Sequence, residues 1–338
     1  MVHHLGGAPE VLPLGDLLSK RRVASFDAYL GPSREVSAWV AIGGDVMPGS
    51  TTAAPAGLRE LLAESDLAVA NLETTVGAGG SPEAKRYAFQ LGPARVKELR
   101  EVGLSGVSLA NNHAGDFGSE GLRMTREALD HEGLGHFGSG ESAASATSAW
   151  MGRAAGHEVA FISVSLTDGD QLPARDASLG LASLPEHASQ IAQSISDARR
   201  RAKIVVVMPH WGKEGTTEVT EAQRHWARWF VEQGADAVVG SGPHVLQPVE
   251  MVVGVPVFYS VGNLWFEGSW PRAARPGAVA FLGLGRDGRV RVARAELRSF
   301  GAGASREASG LGAITGAPQT EQSRSPRTER STPVRNGS

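Results

Sequence analysis

The side chains able to do chemistry fall in six short segments, each following an apolar run. Asp45 lies in GGDVMPG, Asn71 and Glu73 in NLETTV, and Asn111, Asn112, His113 and Asp116 in NNHAGDFG. His210, Trp211 and Glu214 lie in PHWGKE, His244 and Gln247 in GSGPHVLQ, and Asn263 in VFYSVGNLWF. One such residue after one strand is ordinary turn chemistry, because Asp and Asn commonly start turns. Six in succession suggest a cluster of carboxylate, amide and imidazole donors, which suits manganese, iron, zinc or magnesium, or general acid–base work. Each histidine also has a plainer reading: His113 as a helix cap, and His210 and His244, after Pro209 and Pro243, as core histidines.

Composition narrows the chemistry further. The 338 residues include no cysteine, which excludes disulfides, thiol nucleophiles, thiolate zinc sites and iron–sulfur clusters. With 33 Lys+Arg against 36 Asp+Glu the net charge is -3, so the basic excess that supports non-specific nucleic-acid binding is lacking. No apolar run approaches the roughly 18 residues of a membrane span. The first 40 residues show no secretory-signal pattern, so the expectation is a cytoplasmic protein without a membrane anchor.

The elements that must position these residues alternate as an α/β fold does. Strands are predicted over Ala38–Ile42, Leu67–Ala70, Gly106–Ala110, Glu158–Ser163, Ile204–Met208, Ala237–Val239 and Val257–Ser260. Helices are predicted over Gly57–Ser65, Pro93–Val102, Ser119–His131, Glu186–Arg200 and Glu221–Gln233. Asp287-Gly288 between two apolar runs marks a late hairpin, so the sheet content is mixed rather than purely parallel. In open α/β sheets ligands bind at the carboxyl ends of the strands, where the six segments fall. Residues 1–36 are read as an N-terminal extension, 37–300 as the folded domain, and 301–338, rich in Gly, Ala, Ser, Pro, Thr and Arg, as a disordered tail.

The ordered set GGDVMPG, NLETTV, SLANNHAGDFG, HWGKE, GADAVVGSGPHVLQPVE and YSVGNLWF resembles the CapA family of poly-γ-glutamate capsule-biosynthesis proteins, over roughly Ala38 to Phe266. The resemblance implies a metallophosphoesterase-like fold, a four-layer sandwich of two mixed β-sheets flanked by helices. It further implies Asp45, Glu73, Asn112, His210 and His244 as metal ligands and His113 as general acid, with Asp45, His210 and His244 sharing the catalytic centre. Asn71, Asn111, Asp116, Trp211, Glu214, Asn263 and Trp265 are expected to shape the site or meet substrate, with Trp270 beside them. Two departures stand out: the His-Pro-His motif reads Gly242-Pro243-His244, and the late Gly-Asn-Phe reads Gly262-Asn263-Leu264. Glycine supplies no ligand, which puts a second ion in doubt and leaves two alternatives: one divalent metal ion, manganese, zinc or iron, on Asp45, Glu73 and His244, or no ion at all.

Three functions compete. The leading one is a metal-dependent hydrolase or transferase acting on a peptide, an amide polymer of poly-γ-glutamate type or a phosphoester. Next is a metal-independent epimerase, with Asp45 or Glu73 paired with a histidine across a peptide α-carbon. The third is a non-catalytic component that binds an anionic polymer, for which Lys85, Arg86, Arg95 and Lys213 lie near the motifs. The expected partner is thus a peptide or anionic polymer substrate.

Overall fold

Valine and isoleucine dominate the segments that become the central strands, and IVVV at 204–207 is apolar on both faces, the pattern of a strand covered on both sides. The computed structural model describes residues 35–49, 53–167, 172–267 and 277–296 in full, with the backbone of Val2–His4, Val11–Leu12, Ser25–Tyr29 and residues 297–298. Trp270 and the expected tail, 301–338, lie outside the described residues. All described residues belong to one unit, Met1–Arg306.

Two mixed sheets form the centre. One, of nine strands, runs in the order Val2–His4, Ser25–Tyr29, Val290–Arg298, Gly277–Leu284, Ala38–Met47, Leu67–Leu72, Gly106–Ser108 and Gly135–Phe137, and Asn263–Phe266 also pairs with Ala38–Met47. The other, of seven strands, runs Trp150–Ala154, His157–Leu166, Ile204–Trp211, Ala237–Val239, Val255–Phe258, Val249–Val252 and Val11–Leu12. Strands within 1–36 therefore pair into both sheets, in a segment read from sequence as an extension.

Period-two alternation divides the core into layers. Val40 and Ile42 face Phe161, Val206 and Phe258 of the other sheet, whereas Ala41 faces Leu58, Leu61 and Leu62 of the Leu58–Leu62 helix. On the far side, Ala160, Ile162 and Val205 pack against Ile191, Ile195, Ala227 and Phe230 of the helices Ala188–Arg199 and Glu221–Gln233. The result is the expected sequence of helices, sheet, sheet, helices. Phe161 lies 5.9 Å from Phe137 and 5.7 Å from Trp150 between the sheets, where truncation of a buried phenylalanine to alanine costs about 3–5 kcal/mol.

Local signals set the ends of several elements. Thr220 and Gln223 form a capping box at the start of Glu221–Gln233, and Gly234, at φ +108°, closes that helix. The late hairpin forms as predicted, with Gly277–Leu284 antiparallel to Val290–Arg298 and the amide of Arg289 donating to Oδ1 of Asp287 in the turn. Several strands run further than expected, Leu67–Leu72 and His157–Leu166 among them. Ala38–Met47 and Ile204–Trp211 both extend through their chemistry-bearing residues, so Asp45 and His210 sit within strands rather than in loops after them.

Candidate metal centre

Asp45 is presented by a register shift between Ile42 and Asp45 where Ala38–Met47 pairs with Leu67–Leu72. Gly44 permits the neighbouring chain to come close: a Cβ there would meet the carbonyl oxygen of Gly262 at 1.9 Å. That approach lets the amide of Asp45 donate to Gly262 at 3.1 Å and brings Asn263 into register with Asp45. Asp45 is completely buried.

The adjacent parallel strand, Leu67–Leu72, delivers Asn71 and leads into Glu73, both buried. Asn71 Nδ2 donates to Asp45 Oδ1 at 2.9 Å and lies 3.1 Å from Nδ1 of His210. Asn111 fixes that orientation by donating to Asn71 Oδ1 at 3.0 Å and to the carbonyl of Leu72 at 2.8 Å. Glu73 differs from its neighbours. Both its carboxylate oxygens are buried without a hydrogen-bond partner, and so is Oδ1 of Asn112.

The second sheet supplies the imidazoles. His210 places Nδ1 3.6 Å from Asp45 Oδ1 and Nε2 3.4 Å from Glu73 Oε1. His244 places Nδ1 3.2 Å from Asp45 Oδ2 and Nε2 3.7 Å from Glu73 Oε1. His210 Nδ1 is also 3.1 Å from Ser241 Oγ, so it accepts from Asn71 when neutral and donates to Ser241 when protonated. Asn263 Oδ1 lies 2.9 Å from Nδ1 of His244, which directs Nε2 towards Glu73.

Burial alone would lower the pKa of both imidazoles, but the Glu73 and Asp45 carboxylates beside them prevail and push His210 up to about 10 and His244 up to about 9. For Asp45, burial acts to raise the pKa, yet the bonds and charges of His210 and His244 hold the carboxyl well below the usual carboxylate range. The cluster is thus two buried acids whose charge must be balanced by cations close at hand.

A second group borders this one. His113 Nδ1 lies 2.8 Å from Asp116 Oδ2, and Lys85 Nζ reaches Asp116 Oδ1 at 2.5 Å and the carbonyl of Asn112 at 2.6 Å. The amide of Phe89 donates to Asp116 Oδ2 at 2.6 Å. Asp116 is therefore held by Lys85 and the Phe89 amide and holds His113 in turn.

The family described as bacterial capsule synthesis protein PGA_cap matches residues 11–267. The chain belongs to that family. Among PGA_cap relatives, the PGA biosynthesis protein CapA of Bacillus subtilis is 32% identical over 198 residues, covering 58% of this chain and 52% of its own. The capsule biosynthesis protein CapA of Bacillus anthracis is 31% identical over 190 residues, with shares of 55% and 46%. A probable polyglutamine synthesis accessory protein of Mycobacterium tuberculosis is 28% identical over 211 residues, with shares of 59% and 55%. The chain thus spans about half the length of these relatives. In fold it is similar to a Staphylococcus aureus protein described as a putative 5'-nucleotidase in complex with alpha-ketoglutarate, at a TM-score of 0.50 and 16% identity over 78% of this chain and 54% of that one. The fold is metallophosphoesterase-like, two mixed sheets between layers of helices.

The donors of this PGA_cap chain fit a divalent ion. A buried carboxylate with neither oxygen hydrogen-bonded is costly unless a cation satisfies it, and Glu73 is in that position. Asp45, Glu73 and His210 each offer a ligand atom within 4.8 Å of the others. The imidazole in this group of three is that of His210; His244, named with it from the sequence as a ligand, stands beside the group with its Nδ1 facing Asp45 and Asn263.

Several residues expected to meet substrate are placed otherwise. Trp211 is fully buried, donates Nε1 to the carbonyl of Tyr259 at 2.8 Å, and packs in the core beneath the Glu221–Gln233 helix. Trp265 is 1% exposed in the opposite core, with Nε1 3.2 Å from Glu267. Neither presents surface to a substrate, because strand alternation turns these bulky side chains towards the helices. Asn71, Asn111 and Asp116 are also enclosed, where they orient the centre's groups. His113 and His244 line the cleft over the centre, together with the exposed Glu214. Lys85 and Arg95, considered from sequence as anion-binding cations, are engaged by Asp116 and Glu98 respectively. Sequence reasoning missed the role of Lys85 because its partner lies 31 residues away.

Gly242 is not simply a deleted ligand. Its φ is +109°, its amide donates to Asp45 Oδ2 at 3.1 Å, and a Cβ would lie 2.7 Å from the carbonyl oxygen and 3.1 Å from the nitrogen of Trp211. This backbone path requires glycine.

Proposed function

We propose that this PGA_cap protein is a metal-dependent hydrolase or transferase with one divalent ion, manganese, zinc or iron, acting on a peptide, an amide polymer of poly-γ-glutamate type or a phosphoester. The observation that carries this reading is that both buried oxygens of Glu73, beside Asp45 and His210, are without a hydrogen-bond partner. Asp45, Glu73 and His210 would hold the ion, and Asn112 Oδ1, also without a partner, and His244 are the further donors at hand. A bound ion of this kind polarises a carbonyl or phosphoryl oxygen and lowers the pKa of water.

The other steps belong to the chain's own groups. His113 is engaged at Nδ1 by Asp116, which leaves Nε2 to deliver a proton to the leaving group. Asp116, pinned by Lys85 and the Phe89 amide, holds that ring in place. Asn71 and Gly242 hold the Asp45 carboxylate through one bond to each oxygen, and Asn263 orients His244.

The test is elemental analysis of the purified chain after incubation with manganese, zinc or iron, combined with turnover of bis-p-nitrophenyl phosphate and of γ-linked glutamate oligomers. About one equivalent in the wild type, its loss in Asp45→Ala and Glu73→Gln, and turnover that stops on chelation and returns with metal are expected. Undiminished turnover in chelated, metal-free protein would overturn the reading, and α-hydrogen exchange from deuterated solvent under those conditions would favour epimerisation.

A further inference from the structure

A cleft of about 430 Å³ opens beside the proposed centre, with His113 and His244 in its wall. Its surface is aromatic where it meets them. Phe89 stands 4.6 Å from the ring of His113, and Phe266 stands 4.9 Å from the ring of His244. Tyr87, about half exposed, stacks on Phe89 with centroids 6.4 Å apart and so extends the same face outward. Among the described residues lining the cleft the acidic ones are Glu214 and Glu267, and none is a lysine or an arginine.

A polymer of carboxylates or phosphates entering here would bring anions against two glutamates and would bury charge against phenyl rings. An apolar side chain would instead exchange water for the faces of Tyr87 and Phe89, and a neutral or cationic backbone would suit the glutamates. We infer that this cleft seats a large apolar or aromatic side chain of a peptide substrate, beside the bond presented to His113. The inference rests on the hydrolase or transferase reading for its chemistry, but the recognition of the side chain is a property of the cleft.

Binding to the full-length chain separates the two. The probes are three tetrapeptides measured by calorimetry with and without manganese: capped Ala-Ala-Phe-Ala, capped tetra-alanine and γ-linked tetraglutamate. The phenylalanine peptide should bind about tenfold more tightly than tetra-alanine, the gain expected when a phenyl group replaces a methyl in an apolar site. It should also bind more tightly than tetraglutamate. Tyr87→Ala, at a half-exposed position that the fold tolerates, should remove about threefold or more of the preference with metal content unchanged, and Glu214→Lys should strengthen tetraglutamate binding. Tetraglutamate binding at least as tightly as the phenylalanine peptide, equal binding of all three, or no measurable binding of the phenylalanine peptide would each overturn the inference. A preference in protein that takes up no manganese, zinc or iron on incubation, by elemental analysis, supports the inference while counting against the metal-dependent reading; bound metal without the preference does the reverse.

Discussion

The backbone amide of Gly242 donates to Oδ2 of Asp45 across 3.1 Å, joining the second sheet to the first at the proposed centre. That bond occupies one Asp45 oxygen, while Asn71 occupies the other at 2.9 Å. Where the resemblance leads one to expect an imidazole, this chain uses a main-chain donor, and the centre is completed without a side chain at 242.

Gly242→His therefore restores no second metal site. The new Cβ would meet the backbone of Trp211 at 2.7 Å in a left-handed conformation, and strain of this kind costs about 1–3 kcal/mol. Urea denaturation should show the loss, and elemental analysis should show no more metal than in the wild type. A second equivalent bound by a stable variant would contradict the reading of this position.

Glu73→Gln should lower both stability and metal affinity. The substitution removes the carboxylate that does most to hold His210 and His244 protonated, so the metal-free protein at neutral pH should unfold at a lower urea concentration than the wild type. Metal affinity should fall by about 100-fold or more as an anionic ligand is lost, the order seen when even outer supporting groups of a metal site are removed. Titration with manganese checks the second half of this prediction.

The stability of the metal-free protein should depend on pH in a set direction. His210 and His244 have folded values of about 10 and about 9 against an ordinary 6.5, so their contribution is fully present below about 6.5 and is lost as pH rises through 9 to 10. Asp45 acts in the opposite sense: its depressed carboxyl contributes above the usual carboxylate range, and that contribution is lost as pH falls below it. Urea midpoints of chelated protein at pH 5.5, 7.5 and 9.5 should decrease in that order. Metal affinity should rise over the same interval, because binding must displace protons from the imidazoles.

Lys85 should behave as a positioning residue for His113. Lys85→Met leaves Asp116 buried with one partner fewer, and breaking a buried ion pair from one side costs about 3–5 kcal/mol. In protein that remains folded, kcat should fall with little change in KM, the alkaline limb of its pH profile, which a general acid sets, should move, and metal content should stay at the wild-type level. His113→Ala should lower kcat further, by about 100- to 10,000-fold, the usual range for a general acid. A Lys85 variant altered in stability alone would assign the residue to structure.

The amino-acid sequence made the α/β layering, the late hairpin and the strand-end location of Asp45, Glu73, His113, His210 and His244 legible, because each depends on local order: apolar period, turn residues and the polar residues that end an apolar run. Even there its reach had limits, since nothing local showed that the strands carrying Asp45 and His210 continue through those residues. The tertiary structure decided the partnerships. That His210 joins Asp45 and Glu73, that Asn71 and Gly242 divide the oxygens of Asp45, and that Lys85 clamps Asp116 are relations across 26 to 197 residues, set by how two sheets meet. Trp211 and Trp265 illustrate the same limit: a tryptophan beside a polar motif reads alike in sequence whether it faces a cleft or a helix layer. Only the direction of the side chain from its strand sends both into the core, since alternate residues of a strand face opposite sides and the register that selects the side is a long-range property.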